Sequence, residues 1–185
     1  FFGLSGKLRA VFALPTEKAI AEFAGLPRKP GVYSLSGVLP ALENLSLVVL
    51  TPFSAKVNGR IGTYRMGHWP YEKRAPQDPM YANPKGFIEV TPENFAFKVS
   101  EHFALGEFVT KDQGNVWPKY VALDQRLLDK LELTIDQLNR AGYPVNDLHV
   151  MSGFRTPQYN EQGVGAGGRS AVSRHQYGDA ADVYP

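Results

Sequence analysis

Between Asp124 and Ala141 the chain sets Leu127, Leu128, Leu131, Ile135 and Leu138 on one stripe, charged residues on the other, and then stops with Gly142 and Pro144. A 3.6-residue period with a polar opposite face can bury only one side, so this segment must be a helix laid against a core that the rest of the chain supplies. The pieces after it are short. Leu148 to Met151 reads as a strand, and Thr156 and Pro157 cap and start a second helix through about Gln162, because proline at the first helical position has no useful N–H to lose. Gly163, Gly165, Gly167 and Gly168 then make a loop, and Ala180 to Tyr184 reads as a final strand. Helix, strand, helix, strand in that order predicts an α+β unit.

The first hundred residues are strand-rich. Gly31 to Leu35 and Leu45 to Thr51 are short apolar or β-branched runs bounded by Pro and Gly. Ser54 to Val57, Asn58-Gly59 and Arg60 to Met66 predict a hairpin, since Asn-Gly supplies the positive φ angles of a type I′ turn. Phe87 to Val90 adds a strand, and Thr16, with Ala19, Ile20, Phe23 and Ala24 on one face before Gly25 and Pro27, predicts one short helix ahead of them. Pro70, Pro76, Pro79 and Pro84 mark 70–84 as a surface loop or linker. The expected division is a small β-rich N-terminal domain over 1–98 and a second domain over 99–185.

Composition narrows the function classes. In 185 residues a 43% hydrophobic content suffices for a core, and a formal charge of +2 without a basic run argues against nucleic acid as partner. Cysteine is absent, so a metal would have to be held by His and carboxylate. No apolar run approaches the roughly 20 residues of a membrane span. Phe1 to Leu14 is interrupted by Gly3, Gly6, Lys7 and Arg9, unlike a secretory signal, and the lack of an initiator Met suggests a processed or partial product.

Chemistry concentrates near the C-terminus. His175 and Asp182 lie seven positions apart across Gly178, with the small Ala180 and Ala181 between, so both can converge on one ion. The same pair also fits a plain hydrogen bond in which Asp182 orients the imidazole. Arg155 brings a permanent charge and a planar fork of donors, and Ser173 reads as a strand-end or turn-capping serine. Asp179, an odd number of residues from Asp182, should face away from it if the strand reaches back that far. His149 alternates with Leu148 and Val150, which favours a solvent-facing or packing role; His68 and His102 are weaker candidates still. The 163–168 loop has glycines but no following Lys-Ser or Lys-Thr, and Arg169 stands alone, so it reads as a mobile loop rather than a phosphate cradle. Tyr64, Arg65, His68, Trp69 and Tyr71 form either a glycan-stacking surface or the core and rim of a β-unit.

Met151-Ser152-Gly153-Phe154-Arg155-Thr156-Pro157-Gln158-Tyr159-Asn160, followed by Ser173-x-His175-x-x-Gly178-x-Ala180-x-Asp182, resembles the zinc D-Ala-D-Ala carboxypeptidases and related LAS-type peptidoglycan peptidases, the M15 group. Both blocks match in order and spacing, and the resemblance covers about residues 99 to 185. It implies an M15/Hedgehog-like helix-and-antiparallel-sheet domain, zinc (Zn2+) as cofactor with His175 and Asp182 as two of its three ligands, Arg155 as the group that holds the substrate and stabilises the oxyanion, and Ser173 as a substrate contact. It also implies a peptidoglycan stem peptide as partner and a periplasmic or extracellular location. The family's third histidine and acidic base lie downstream of the aspartate, so the chain is expected to continue past Pro185 and residues 1–185 alone to be inactive. The competing expectation is a non-catalytic cell-wall or protein-binding module with a structural or vestigial metal site.

Overall fold

The computed structural model describes residues 29–34 and 46–185. The helix expected to begin at Thr16 lies outside them. Strands β1 (Gly31–Ser34) and β2 (Ser46–Val49) pair antiparallel, and β3 (Thr51–Pro52) follows as a separate strand where the sequence suggested one run to Thr51.

The Asn58-Gly59 turn forms as expected, and the arms do not. Asn58 and Gly59 both take positive φ (50° and 73°), and Val57 and Arg60 exchange backbone hydrogen bonds of 2.8 and 2.9 Å around them. Phe53–Ala55, however, is a 3-10 turn, and β4 (Arg60–Ile61) pairs with β5 (Tyr64–Arg65) across a second tight turn. The cause is aromatic packing. Phe53 sits 5.3 Å from the Trp69 ring and 5.8 Å from Phe87, and packing that face takes Ser54 to Val57 out of a strand path.

Strand β6 (Gly86–Val90) is the centre of a three-stranded antiparallel sheet, flanked by β3 and by β7 (Lys119–Val121). It is buried along nearly its whole length. Because β6 and β7 pair Ile88 with Val121 and Val90 with Lys119, the sheet runs across residue 98. Tyr64, Trp69, Phe87, Val121, Leu128, Ile135 and Phe154 belong to one hydrophobic cluster, so the expected boundary near 98 falls inside a shared core. The proline-rich 70–84 stretch is a loop as expected, yet it is docked, with Arg174 Nη1 donating to Met80 O at 2.6 Å.

Helix α1 (Gln125–Arg140) matches its expected limits closely. Asp124 caps it by accepting from Arg126 N at 2.8 Å, and Gly142 ends it at φ 85°. Leu127, Leu128, Leu131 and Ile135 are buried, each worth roughly 1.5–3 kcal/mol of transfer free energy. Strand β8 (His149–Ser152), helix α2 (Pro157–Glu161, capped by Thr156), a 3-10 turn over Arg174–Tyr177 and strand β9 (Asp182–Tyr184) complete the described chain. The architecture is mixed helix and antiparallel sheet, α+β. Among the described residues no helix is long and apolar enough to cross a membrane.

Two local features place the C-terminal residues. The β8–β9 ladder pairs Val150 with Val183 but Ser152 with Asp182, a bulge at Met151 that moves Ser152 off the face of Val150 and onto that of Asp182. Gly178, at φ 74°, presses against the β7–α1 junction and accepts from Asp124 N at 2.8 Å through its carbonyl. A Cβ there would lie 2.1 Å from Ala122 O. Gly178→Ala therefore combines left-handed strain with a backbone clash that no side chain can relieve. It should cost about 2 kcal/mol or more in urea unfolding; an unchanged midpoint would show that this junction does not hold the C-terminal turn.

Candidate functional site

The site is assembled from two chain segments that brace each other. In the first, Phe154 N donates to Phe108 O at 2.9 Å, and the buried Thr110 hydroxyl donates to Phe154 O and accepts from Thr156 N at 3.1 and 3.0 Å. Gly153 passes so close to Phe108 that a Cβ would meet its Cα at 2.6 Å. In the second, the 3-10 turn Arg174–Tyr177 buries His175 and Gln176. The two are joined by Arg155 N donating to His175 O at 3.0 Å and by the His175 ring reaching Gly153 O at 2.7 Å.

That ring contact decides the tautomer. A carbonyl only accepts, so Nδ1 carries the proton and Nε2 of the neutral ring holds the lone pair. Nε2 faces Asp182 Oδ1 at 3.4 Å, which opposes a lone pair and a carboxylate. The arrangement calls for a cation between them, either an imidazolium proton or a metal ion. A charge-assisted hydrogen bond runs about 2.7–2.9 Å, whereas two ligand atoms on a tetrahedral zinc lie roughly 3.3 Å apart, given bonds of about 2.0–2.1 Å. The spacing is that of two ligands of one zinc ion. Among the described residues no cluster of three or more His, Cys, Asp or Glu side chains is placed to hold a metal.

Arg155 completes the group. Its Nη2 donates to Asp182 Oδ2 at 2.5 Å and its Nε to Ser152 Oγ at 2.8 Å, while Nη1 has no hydrogen-bond partner among the described residues. The arginine side chain is 14% exposed and that of Asp182 51%, so the carboxylate meets solvent and the cation behind it is largely withdrawn. Arg155, His175 and Asp182 are therefore brought together. Ser173 begins the 3-10 turn, its carbonyl accepting from Gln176 N at 3.1 Å, but its hydroxyl makes no capping bond. Ser152 and the Gly153 carbonyl were not assigned roles from sequence; both lie in the first motif, but neither a backbone acceptor nor a bulge is written in residue types.

The other candidates fall elsewhere. Asp179 pairs with Arg174, whose guanidinium lies 5.0 and 4.9 Å from the Tyr81 and Tyr177 rings. Since β9 begins only at Asp182, strand alternation does not govern Asp179. Burial pushes the Tyr177 phenol up to about 12 despite the opposing pull of Arg174, which removes it as a base near neutrality. His149 is exposed and packs 4.9 Å from the Tyr184 ring. His68 is exposed beside Glu72 at 3.1 Å. Tyr64 and Trp69 are buried, Trp69 Nε1 donating to Gln176 O at 2.9 Å, so these two rings are core and present no stacking surface.

No protein-family model, no curated protein and no solved structure matches the chain.

His102 has a structural partner in Glu132, which accepts from its backbone N at 2.9 Å and faces its Nδ1 at 2.5 Å. Burial alone would raise the Glu132 carboxyl, but these bonds outweigh it and hold the group below its ordinary 4.5. A depressed folded value means stability that is complete above the ordinary value and lost as pH falls through the folded one. Glu132→Gln should thus cost about 1 kcal/mol at pH about 7 and less at pH about 3.5 in urea unfolding. An equal difference at both would refute the assignment.

Proposed function

We propose that this chain carries part of the metal centre of a zinc-dependent peptidoglycan peptidase of the M15 type, a D-alanyl-D-alanine carboxypeptidase or endopeptidase acting on stem peptides, with an M15/Hedgehog-like arrangement over about residues 99–185. The observation that carries the reading is the opposition of His175 Nε2 and Asp182 Oδ1 at 3.4 Å beside Arg155. That spacing is long for a bracing hydrogen bond and suits two ligands of one ion.

His175 and Asp182 would hold the metal, with the imidazole fixed from behind by Gly153 O in the manner of a metal-bound histidine. Bound zinc would supply an activated water and polarise the scissile carbonyl. Arg155 Nη1, with no partner among the described residues, would donate to the oxygen on which charge develops. Ser173, two residues from His175, is the proposed substrate contact. The reading requires a third histidine ligand and an acidic base in addition to these residues, and a periplasmic or extracellular location follows from the substrate.

A second reading, a non-catalytic cell-wall or protein-binding module with a vestigial metal site, draws on the engagement of Arg155 with Asp182. Equilibrium dialysis separates a ligand pair from a metal-free brace. The natural gene product should take up zinc, and His175→Ala and Asp182→Asn in it should each weaken uptake at least about tenfold; equal uptake in all three would sink the ligand assignment. With D-Ala-D-Ala-terminated and cross-linked stem peptides, the natural gene product should hydrolyse one class, and Arg155→Ala should lower kcat about 10²–10³-fold. Zinc binding without hydrolysis of either would favour the binding module.

A further inference from the structure

We propose that Ser152 and Arg155 form a positioning relay that offers a single oxygen of Asp182 to the metal, and that the relay thereby selects a small four-coordinate ion over larger oxygen-seeking ones. This rests on the zinc reading above and gives Arg155 a task distinct from contact with substrate.

The relay begins in the β8–β9 ladder. The bulge at Met151 sets Ser152 directly across from Asp182, and cross-strand partners share a face. A guanidinium is planar, with Nε and one terminal nitrogen on the same edge. Ser152 Oγ accepts from Nε at 2.8 Å, which fixes the plane, and the same edge then delivers Nη2 to Asp182 Oδ2 at 2.5 Å. The backbone of Arg155 is itself tied to His175 O at 3.0 Å, so the arginine and the imidazole move as one unit.

The consequence is an asymmetric carboxylate. Oδ2 is taken by Arg155, and Oδ1 faces His175 Nε2 at 3.4 Å. Asp182 is 51% exposed at its side chain, so without the guanidinium its two oxygens would exchange places by rotation and could chelate an ion together. Calcium and similar hard ions gather six to eight oxygens and accept two-oxygen chelation by a carboxylate, whereas zinc is satisfied by one oxygen and one imidazole nitrogen among four donors. A hydrogen-bonded carboxylate that presents one oxygen favours the latter.

The charge of Arg155 works in the opposite direction, since a fixed cation beside a dication lowers its affinity. Removing the arginine would therefore mix lost positioning with relieved repulsion. Variants that keep the charge isolate the positioning. Ser152→Ala deletes only the anchor of Nε, Arg155→Lys keeps a point charge without the two-donor edge, and Ser152→Thr restores the hydroxyl on a residue suited to a strand.

Zinc and manganese affinities of the natural gene product, measured by competition with a chromophoric chelator, supply one readout. Ser152→Ala and Arg155→Lys should bind zinc about tenfold more weakly, with the zinc-to-manganese ratio falling, while Ser152→Thr stays near wild type. The second readout needs no metal. The Arg155 Nε–Hε signal in ¹H–¹⁵N spectra of the metal-free protein should be slowly exchanging and should lose that protection in Ser152→Ala. Protection lost with zinc affinity and the ratio unchanged would overturn the relay and leave the zinc site standing. Wild-type zinc affinity no better than that of His175→Ala would overturn the zinc reading and the relay's role together, whatever the Nε signal shows.

Discussion

Two hydrogen bonds running in opposite directions, from the His175 ring to Gly153 O and from Arg155 N to His175 O, hold the rest of the site in place. Each satisfies a group that burial would otherwise strand, and leaving either unpaired would cost about 1–3 kcal/mol. Together they fix three variables at once: the imidazole tautomer, the direction of its lone pair, and the backbone from which the guanidinium projects. In a buried setting such bonds are stronger than in water and cooperate with their neighbours. Thr110 extends the set by bridging Phe154 O and Thr156 N, so the segment that presents Arg155 is held on both flanks.

Support for this arrangement comes from distant parts of the chain. Gly178 lies against the Ala122 carbonyl and receives the Asp124 N–H, which ties the turn bearing His175 to the junction between β7 and α1. Helix α1 is in turn anchored by its four buried aliphatics. From the other side, Trp69 Nε1 donates to Gln176 O within the shared core, one residue from the imidazole. The segment before residue 98 therefore contributes to the placement of His175 through a buried hydrogen bond, as well as through the β6–β7 ladder. A site residue that is 9% exposed needs packing on all sides, and here the sides come from sequence positions more than a hundred residues apart.

Local chemistry was legible where a residue's own preferences settle its conformation. Asp124, Gly142, Thr156 and Pro157 bound their helices, and Asn58-Gly59 turns where its positive φ tolerance requires. His175 and Asp182 could be singled out because few residue types ligate metals, and Arg155 through the motif that resembles the M15 group. What sequence reading lost were effects of third parties. Ser54 to Val57 had the pattern of a strand, but Phe53 found Trp69 and Phe87, and that contact prevailed over local preference. Tyr64 and Trp69 could have lined a surface, and only the packing of β6 shows that they are covered. The role of Ser152 depends on a bulge at Met151, one extra residue in a ladder whose partner lies thirty positions away. No periodicity within β8 can reveal that.

The charges of the site bear on what it could attract. Arg155 and Asp182 form an ion pair, and with a neutral His175 the three side chains sum to zero. The carboxylate is half-exposed, so the pair contributes at most about 1 kcal/mol to stability. A fold gains little from such a pair, and a guanidinium 14% exposed sacrifices hydration to make it. The arrangement is, on the proposed reading, electrostatic preparation. On the proposed reading, a dication entering between His175 and Asp182 would leave a net charge of +2 on the group, in which Arg155 Nη1 is without a partner among the described residues. That field favours anionic groups: the carboxylate of a general base, the developing oxyanion, or the terminal carboxylate of a peptide. A D-alanyl terminus brings such a carboxylate into the site together with the scissile bond, so the field that stabilises the oxyanion would also draw in the substrate.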